Sequence, residues 1–176
     1  MNIDTKRLII RNFQPNDVKD LYEILGDGET MKYCEPAYSF EQTEKFLKSF
    51  CIDKSGALAA VQREAGKVIG YILFKELEQA VYEIGWFFNR KYWGKGYAFE
   101  ACFEVIRYAF NNLDAHKIIA ETIDKTKSVN LMRKLGMLQE GMQRSHTRDC
   151  LGNWTDLYLY GILKEDWINA KINNKK

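Results

Sequence analysis

The stretch from Val81 to Leu113 constrains the fold more than any other part of the chain. Val81 to Phe88 is apolar apart from Glu83 and Gly85, which reads as a buried strand. From about Gly94 to Asn112, residues Ala98, Ala101, Cys102, Val105, Ile106, Ala109 and Leu113 form one apolar stripe. Glu100, Glu104, Arg107 and Asn111 lie off it, as on an amphipathic helix. Between the two elements lies Lys91-Tyr92-Trp93-Gly94-Lys95-Gly96-Tyr97-Ala98. A glycine-rich turn from strand to helix offers free backbone N–H groups and the positive end of a helix dipole. Both favour a phosphate or pyrophosphate, and glycine lets it approach the backbone closely. A tight turn without a ligand is the competing reading. Two other phosphate loops are excluded. A Walker loop needs Gly-Lys followed by Ser or Thr, and Gly96 is followed by Tyr97. A dinucleotide fingerprint needs a third glycine where this chain has Phe99.

The flanking segments alternate in type. Thr5 to Phe13 reads as a strand with Leu8 and Ile10 on one face. Pro15 opens a helix with Val18, Leu21, Tyr22 and Leu25 on its apolar face, ended by Gly26. Asp27 to Tyr38 is a long connection of the kind that often carries function. Ser39 and Gln42 form a capping box for a second helix. Ala57–Arg63 and Val68–Phe74 flank a turn and read as a hairpin. Lys117–Ile123 is another buried strand, Ser128 caps a short helix that ends at Gly136, and two strands follow, to about Thr147 and from Trp154 to Leu163. This order predicts an α+β (α/β three-layer) domain. The domain is expected over residues 1–167, with 168–176 as a polar C-terminal tail ending in Lys175 and Lys176.

Composition excludes several classes. The chain has 176 residues, of which 46% are hydrophobic and 28% charged, enough for one core and unlike a disordered chain. A net charge of +2 without a basic run argues against nucleic acid as a partner. No stretch reaches the roughly 18 apolar residues of a membrane helix. The N-terminus lacks an unbroken apolar signal core, so a cytoplasmic location is expected. Cys34, Cys51, Cys102 and Cys150 form no C-x-x-C pair, and His116 and His146 are the only histidines, so no metal site is expected.

The run Glu83-Ile84-Gly85-Trp86 with Tyr92-Trp93-Gly94-Lys95-Gly96-Tyr97-Ala98-Phe99-Glu100-Ala101 resembles the acetyl-CoA motif of the GNAT N-acetyltransferases. It is most like the branch that includes the ribosomal-protein alanine and serine N-acetyltransferases. Thr5-Lys6-Arg7-Leu8, Ser128 to Met137, and Gly152 to Asp156 followed by Gly161 to Trp167 resemble that branch's opening strand, fourth helix and closing hairpin. The resemblance implies a mixed, mostly antiparallel sheet with helices on both faces. It also implies a splayed cleft between the strands ending near Phe88 and Ile123. Pantetheine would pair with the backbone of Trp86, Phe87 and Phe88, and the pyrophosphate would sit on N–H groups from Lys91 to Tyr97. The cofactor-binding set it implies is Trp86, Phe87, Phe88, Lys91, Trp93, Gly94, Lys95, Gly96, Tyr97, Ala98 and Ser128. Two places depart from the pattern. Lys91 stands where the motif has Gln or Arg. Lys125 stands where the branch has Asn three residues before the serine, although Asn130 lies close on the other side.

Acetyl transfer needs a neutral amine, donors for the developing oxyanion and a proton for the departing thiolate. The family typically transfers directly, so no triad is required. Glu83 is the leading base candidate, because a carboxylate in an apolar strand has a raised pKa and works through a water. A glutamate facing solvent or paired with Lys or Arg is the competing reading. Glu121 on the neighbouring strand is the second candidate. By the resemblance, Ser128 would protonate or hydrogen-bond the cofactor sulfur, and backbone N–H groups near Trp86 would meet the oxyanion. Other branches use a Tyr where this chain has Met132. Tyr33, Tyr38, Trp86 and Trp154 flank the expected acceptor cleft, with Glu35, His146, Arg148 and Asp149 in the segments beside it. An α-amine costs about 1 kcal/mol to deprotonate at pH 7, and a lysine about 4.6 kcal/mol. With no strong base in view, a peptide or protein N-terminus is the expected acceptor. A small amine such as a polyamine, aminoglycoside or amino acid, or a non-catalytic acyl-CoA-binding module, remains open. A homodimer is compatible with the branch.

Overall fold

The computed structural model describes the backbone of residues 1–173 and the side chains of residues 1–169. Eight strands form one sheet: β1 Asn2–Asp4, β2 Leu8–Asn12, β3 Ala57–Gln62, β4 Lys67–Glu78, β5 Val81–Phe88, β6 Lys117–Thr122, β7 Leu138–Arg148 and β8 Trp154–Leu163. Their order is β1-β2-β3-β4-β5-β6-β8-β7. Every neighbouring pair is antiparallel except β5 and β6. That parallel pair has only three rungs, Val81 with Lys117, Tyr82 with Ile118 and Glu83 with Ile119. Beyond them the strands part, and each keeps its antiparallel partner on the other side.

The helices are α1 Val18–Leu25, α2 Gly28–Met31, α3 Phe40–Phe46, α4 Tyr97–Asn112, α5 Lys127–Lys134 and α6 Lys164–Asn173. Strand alternation divides the core in two. Ile84 and Phe88 bury with Ala101, Cys102, Val105, Ile106 and Ala109 of α4, and with Val129 and Met132 of α5. On the other face Leu21, Ile24 and Leu25 of α1 bury with Val61, Val68 and Tyr71. Each fully buried aliphatic side chain contributes about 1.5–3 kcal/mol. This is the three-layer, mostly antiparallel arrangement expected.

Local differences have local causes. The strand expected over Thr5–Phe13 is shorter, β2 Leu8–Asn12, because the chain reverses from β1 ahead of it. The Thr5 hydroxyl accepts from the Leu8 N–H at 2.8 Å, and the Thr5 N–H donates to the Leu8 carbonyl at 3.0 Å. Residues Pro15–Asp17 form a single 3₁₀ turn ahead of α1. The long connection contains α2, whose N-cap Asp27 accepts from Thr30 N–H at 3.0 Å. The Ser39–Gln42 capping box is present on α3, which passes into a π-helical turn over Leu47–Ile52. Helix α6 runs across the position where the tail was expected to begin. Its Trp167 is buried, with its ring 4.9 Å from that of Phe103. Lys175 and Lys176 lie outside the described residues. Among the described residues no helix is long and apolar enough to cross a membrane.

Candidate active site

Where β5 and β6 part, the sheet opens into a cleft of about 730 Å³. One wall is β5 from Glu83 to Phe88, and the opposite wall is Glu121 to Asp124 with Lys127, Ser128 and Asn130 to Met132. At one end lie Tyr92, Trp93, Gly94 and Gly96 with the start of α4. The rest of the lining includes Glu29 and Thr30 of α2, Tyr33, Cys34, Thr147, Arg148 and Leu157.

The glycine turn is built as the sequence suggests. Gly94 and Gly96 have φ of 73° and 78°, a region that side chains disfavour. Asn89 accepts from Lys91 N–H at 3.1 Å and starts the turn, and the Trp93 indole donates to the Phe88 carbonyl at 2.6 Å. The first turn of a helix leaves its N–H groups without intrahelical acceptors. Here those donors belong to Tyr97, Ala98 and Phe99, which all line the cleft. Lys127 from α5 reaches over the Trp93 ring, 4.2 Å from its centroid, and Lys134 adds a second cation to the lining. Donors, a helix dipole and the Lys127 cation therefore gather at one end. Unpaired strand backbone runs away from them. A long thioester with phosphates at one end fits such a cleft.

Two residues of the expected set stand elsewhere. Lys91 and Lys95 do not line the cleft. The Lys91 ammonium is 3.7 Å from Glu23, and Lys95 Nζ lies 5.5 Å from the Tyr92 ring centroid. The remaining members, Trp86, Phe87, Phe88, Trp93, Gly94, Gly96, Tyr97, Ala98 and Ser128, are gathered there.

The acid candidates separate. Glu83 is the cross-strand neighbour of Lys75, whose ammonium is 2.9 Å from its carboxylate, so the ion-paired reading describes it. The carboxyl held above its ordinary value is Glu121. Loss of water raises it first and the Glu83 carboxylate second, against opposing effects of His146 and Lys75. Both glutamates line the cleft, where a water can bridge them to an acceptor amine.

Ser128 is not the N-cap of α5. Thr126 holds that place without a capping side-chain bond, and the helix begins at Lys127. Asp124 does the capping instead, accepting from the N–H groups of Thr126 at 2.9 Å, Lys127 at 3.2 Å and Ser128 at 3.0 Å. It also accepts from the Ser128 hydroxyl at 3.4 Å. Burial pushes the Asp124 carboxyl up, but the bonds from Thr126, Ser128 and Lys127 outweigh it and leave it below its ordinary value. Ser128 faces the cleft from this anchored turn, and Met132 lines the cleft where other branches carry a Tyr.

Of the residues expected beside the acceptor, Tyr33, Trp86 and Arg148 line the cleft. Tyr38 instead donates to Glu35 at 2.9 Å and packs on Phe46. Trp154 lies outside the lining beneath the Arg148 guanidinium, and Asp149 holds the β7–β8 turn by accepting from Leu151 and Asn153. Glu29, Thr30, Cys34 and Asp124 are lining residues that sequence reasoning missed. The Asp27-x-x-Thr30 cap signals α2, and Asp124 four residues before Ser128 signals the reach of a side chain over the helix start. Cys34 is pushed up to about 11, first by loss of water and then by Glu35 and Glu121, which leaves it a protonated thiol at neutral pH. Among the described residues no group of side chains is gathered for a metal ion.

A mixed sheet opened at a short parallel pair, with a glycine turn leading into a helix at the opening, is the architecture of an acyl-CoA-dependent transferase. The family profile described as acetyltransferase (GNAT) domain matches residues 7–138, and the chain belongs to this family. It is therefore an acetyl-CoA-dependent N-acetyltransferase. The uncharacterized N-acetyltransferase YnaD of Bacillus subtilis is 37% identical over 173 residues, covering 95% of this chain and 99% of that protein. A solved GNAT-family acetyltransferase from Bacillus anthracis superposes with a TM-score of 0.86 at 33% identity, covering 94% of this chain and 99% of the other. The ribosomal protein uS5-alanine N-acetyltransferase of Escherichia coli is 30% identical over 108 residues, covering 57% of this chain and 54% of that protein.

Proposed function

We propose that the acceptor is the α-amine of a protein or peptide N-terminus. The observation that carries this reading is the kind of base in the cleft. Among the described lining residues there is no histidine, and the carboxyl with a raised pKa is Glu121, a weak base beside Glu83. Such a base suits an α-amine, which loses its proton at a cost of about 1 kcal/mol at pH 7, and not a lysine. The uS5-alanine relative supports it.

In this reading the phosphates lie on the first-turn donors of α4, beside Lys127, and the pantetheine follows β5 through Trp86 to Phe88. Acetyl-CoA supplies the thioester, whose carbonyl carbon gains the amine nitrogen as its C–S bond breaks. Glu121, with Glu83 beside it, receives the proton lost by the amine through a water. CoA leaves as a thiolate, to which the Ser128 hydroxyl would turn from Asp124 to donate a hydrogen bond, and the thiolate takes its proton from solvent. Backbone N–H groups near Trp86 receive the charge that develops on the carbonyl oxygen.

A specific observation favours a second reading, a small basic amine. Glu29, Glu83 and Glu121 line the cleft with Arg148, and a neighbouring groove adds Glu78 and Glu140. Lys75 pairs Glu83 and Lys117 pairs Glu140, which leaves Glu121 without a lysine pair among the described residues. Thiol release from acetyl-CoA separates the two. Peptides with free Ala or Ser N-termini are expected to turn over, and N-terminally blocked peptides are not. Turnover with spermidine or an aminoglycoside alone would replace the first reading with the second. CoA binding without turnover of any amine would overturn the catalytic assignments.

A further inference from the structure

Arg7 stands outside the cleft, on the turn between β1 and β2, in the Thr5-Lys6-Arg7-Leu8 segment to which the chemistry above gives no task. Its side-chain contacts lead to the glycine turn and the first turn of α4, while its carbonyl accepts from the Arg63 N–H at 3.1 Å. The Arg7 Nε donates to Glu100 Oε2 at 2.6 Å, and its Nη1 donates to the carbonyl of Lys95 at 2.8 Å. The face of the guanidinium lies 4.2 Å from the centroid of the Tyr97 ring. A Cβ built on Gly96 would stand 3.5 Å from Arg7 Nη2. Glu100, in the first turn of α4, is held by two more donors, the Arg7 N–H at 2.8 Å and the Thr5 hydroxyl at 2.6 Å.

One planar group thus holds the turn at two points after Gly94, the Lys95 carbonyl and the Tyr97 ring, with the left-handed Gly96 between them. The Trp93 indole ties the turn back to the Phe88 carbonyl before Gly94, and Arg7 adds the bond to the Lys95 carbonyl between the two left-handed glycines. Residues with positive φ and no side chain are costly to order. Ordering them before a ligand arrives removes that cost from binding. Lysine carries the charge but has neither the fork nor the flat face.

We propose that Arg7 is a positioning residue for acetyl-CoA, which holds the Gly94–Tyr97 turn in its phosphate-receiving shape from a segment that never enters the cleft. The proposal rests on the phosphate placement given above. Its signature is a change in affinity for CoA with little change in turnover once the site is filled.

The test compares wild type, Arg7→Lys, Arg7→Gln and Arg11→Gln. CoA affinity is measured by calorimetry, KM and kcat by thiol release, and Tm by thermal unfolding. Arg11 is the control, because its guanidinium on β2 is bonded to Asp17 at 2.7 Å, away from the turn. Both Arg7 variants are expected to weaken CoA binding and raise KM for acetyl-CoA about tenfold, with kcat within about threefold of wild type. Arg7→Lys does not rescue. Arg11→Gln lowers Tm and leaves CoA affinity unchanged. The proposal is overturned if Arg7→Lys binds CoA like wild type, or if the Arg7 variants lose only Tm, as the control does. Gly96→Ala separates this failure from failure of the placement itself. CoA affinity unmoved by Gly96→Ala would remove the phosphates from the turn. Affinity moved by Gly96→Ala and not by the Arg7 variants would sink the role of Arg7 alone.

Discussion

Glu121 and Asp124 lie three residues apart at the end of β6, and their surroundings drive them in opposite directions. Glu121 is raised by loss of water and by Glu83, whereas Asp124 is lowered because the donors at the start of α5 outweigh its burial. The proposed base is therefore Glu121, and Glu121→Gln is expected to lower kcat about 100-fold. In wild type, kcat/KM rises with pH as the Glu121 carboxylate forms, at a pH above the ordinary glutamate value. A pH–rate profile of the variant lacks that limb, and a variant that keeps it would move the base elsewhere. The same shift has a stability sign. A raised carboxyl stabilises the fold below its unfolded pKa, and that contribution is lost as pH rises through the folded pKa. Glu121→Gln should raise Tm at pH 7 by about 1 °C, a gain that vanishes in acid. Asp124 has the reverse sign: its contribution is present above the unfolded pKa and is lost as pH falls through the folded one. Asp124→Ala leaves three N–H groups at the start of α5 uncapped and should cost about 2 kcal/mol, read by denaturant unfolding. Activity should fall as well, since Ser128 loses its anchor.

The succession β5, glycine turn, α4 is legible in the sequence because period and composition change together there. An apolar run gives way to two glycines and then to an apolar stripe of helical spacing. Gly96 carries the junction. Gly96→Ala places a side chain at φ 78° and should cost about 1–2 kcal/mol by strain alone, since the nearest atom to the new Cβ is 3.5 Å away. Unfolding titrations and the KM for acetyl-CoA check this, and an unchanged value of both would contradict it. The start of α5 is less legible. Ser128 looks like a cap because serine often is one, whereas the cap is Asp124, whose carboxylate reaches over the intervening turn. The β1–β2 reversal is hidden for a similar reason: a threonine hydroxyl makes it, with no glycine or proline to mark it. Glu83 illustrates the limit of reading one strand. Its apolar neighbours suggest a lone buried carboxylate, but its partner Lys75 lies across the ladder on β4 and is visible only in the register.

For the whole molecule, the cleft carries both signs of charge, with Lys127 over the Trp93 ring beside the glycine turn and Glu83 and Glu121 where β5 and β6 part. In the proposed placement this favours phosphates beside Lys127. CoA present at 100 times its dissociation constant should stabilise the fold by about 2.7 kcal/mol, or roughly 5–10 °C in Tm. A thermal scan with and without CoA reads it, and an unmoved Tm would contradict binding to the native state. The three-rung seam between β5 and β6 has a further consequence. A sheet interrupted in its middle has inner borders as well as outer ones, and a bare strand border is normally a hazard because it recruits strands from other molecules. Here the inner borders face each other across a cleft, and in the proposed placement the amides of pantetheine would take the pairing that a foreign strand otherwise seeks.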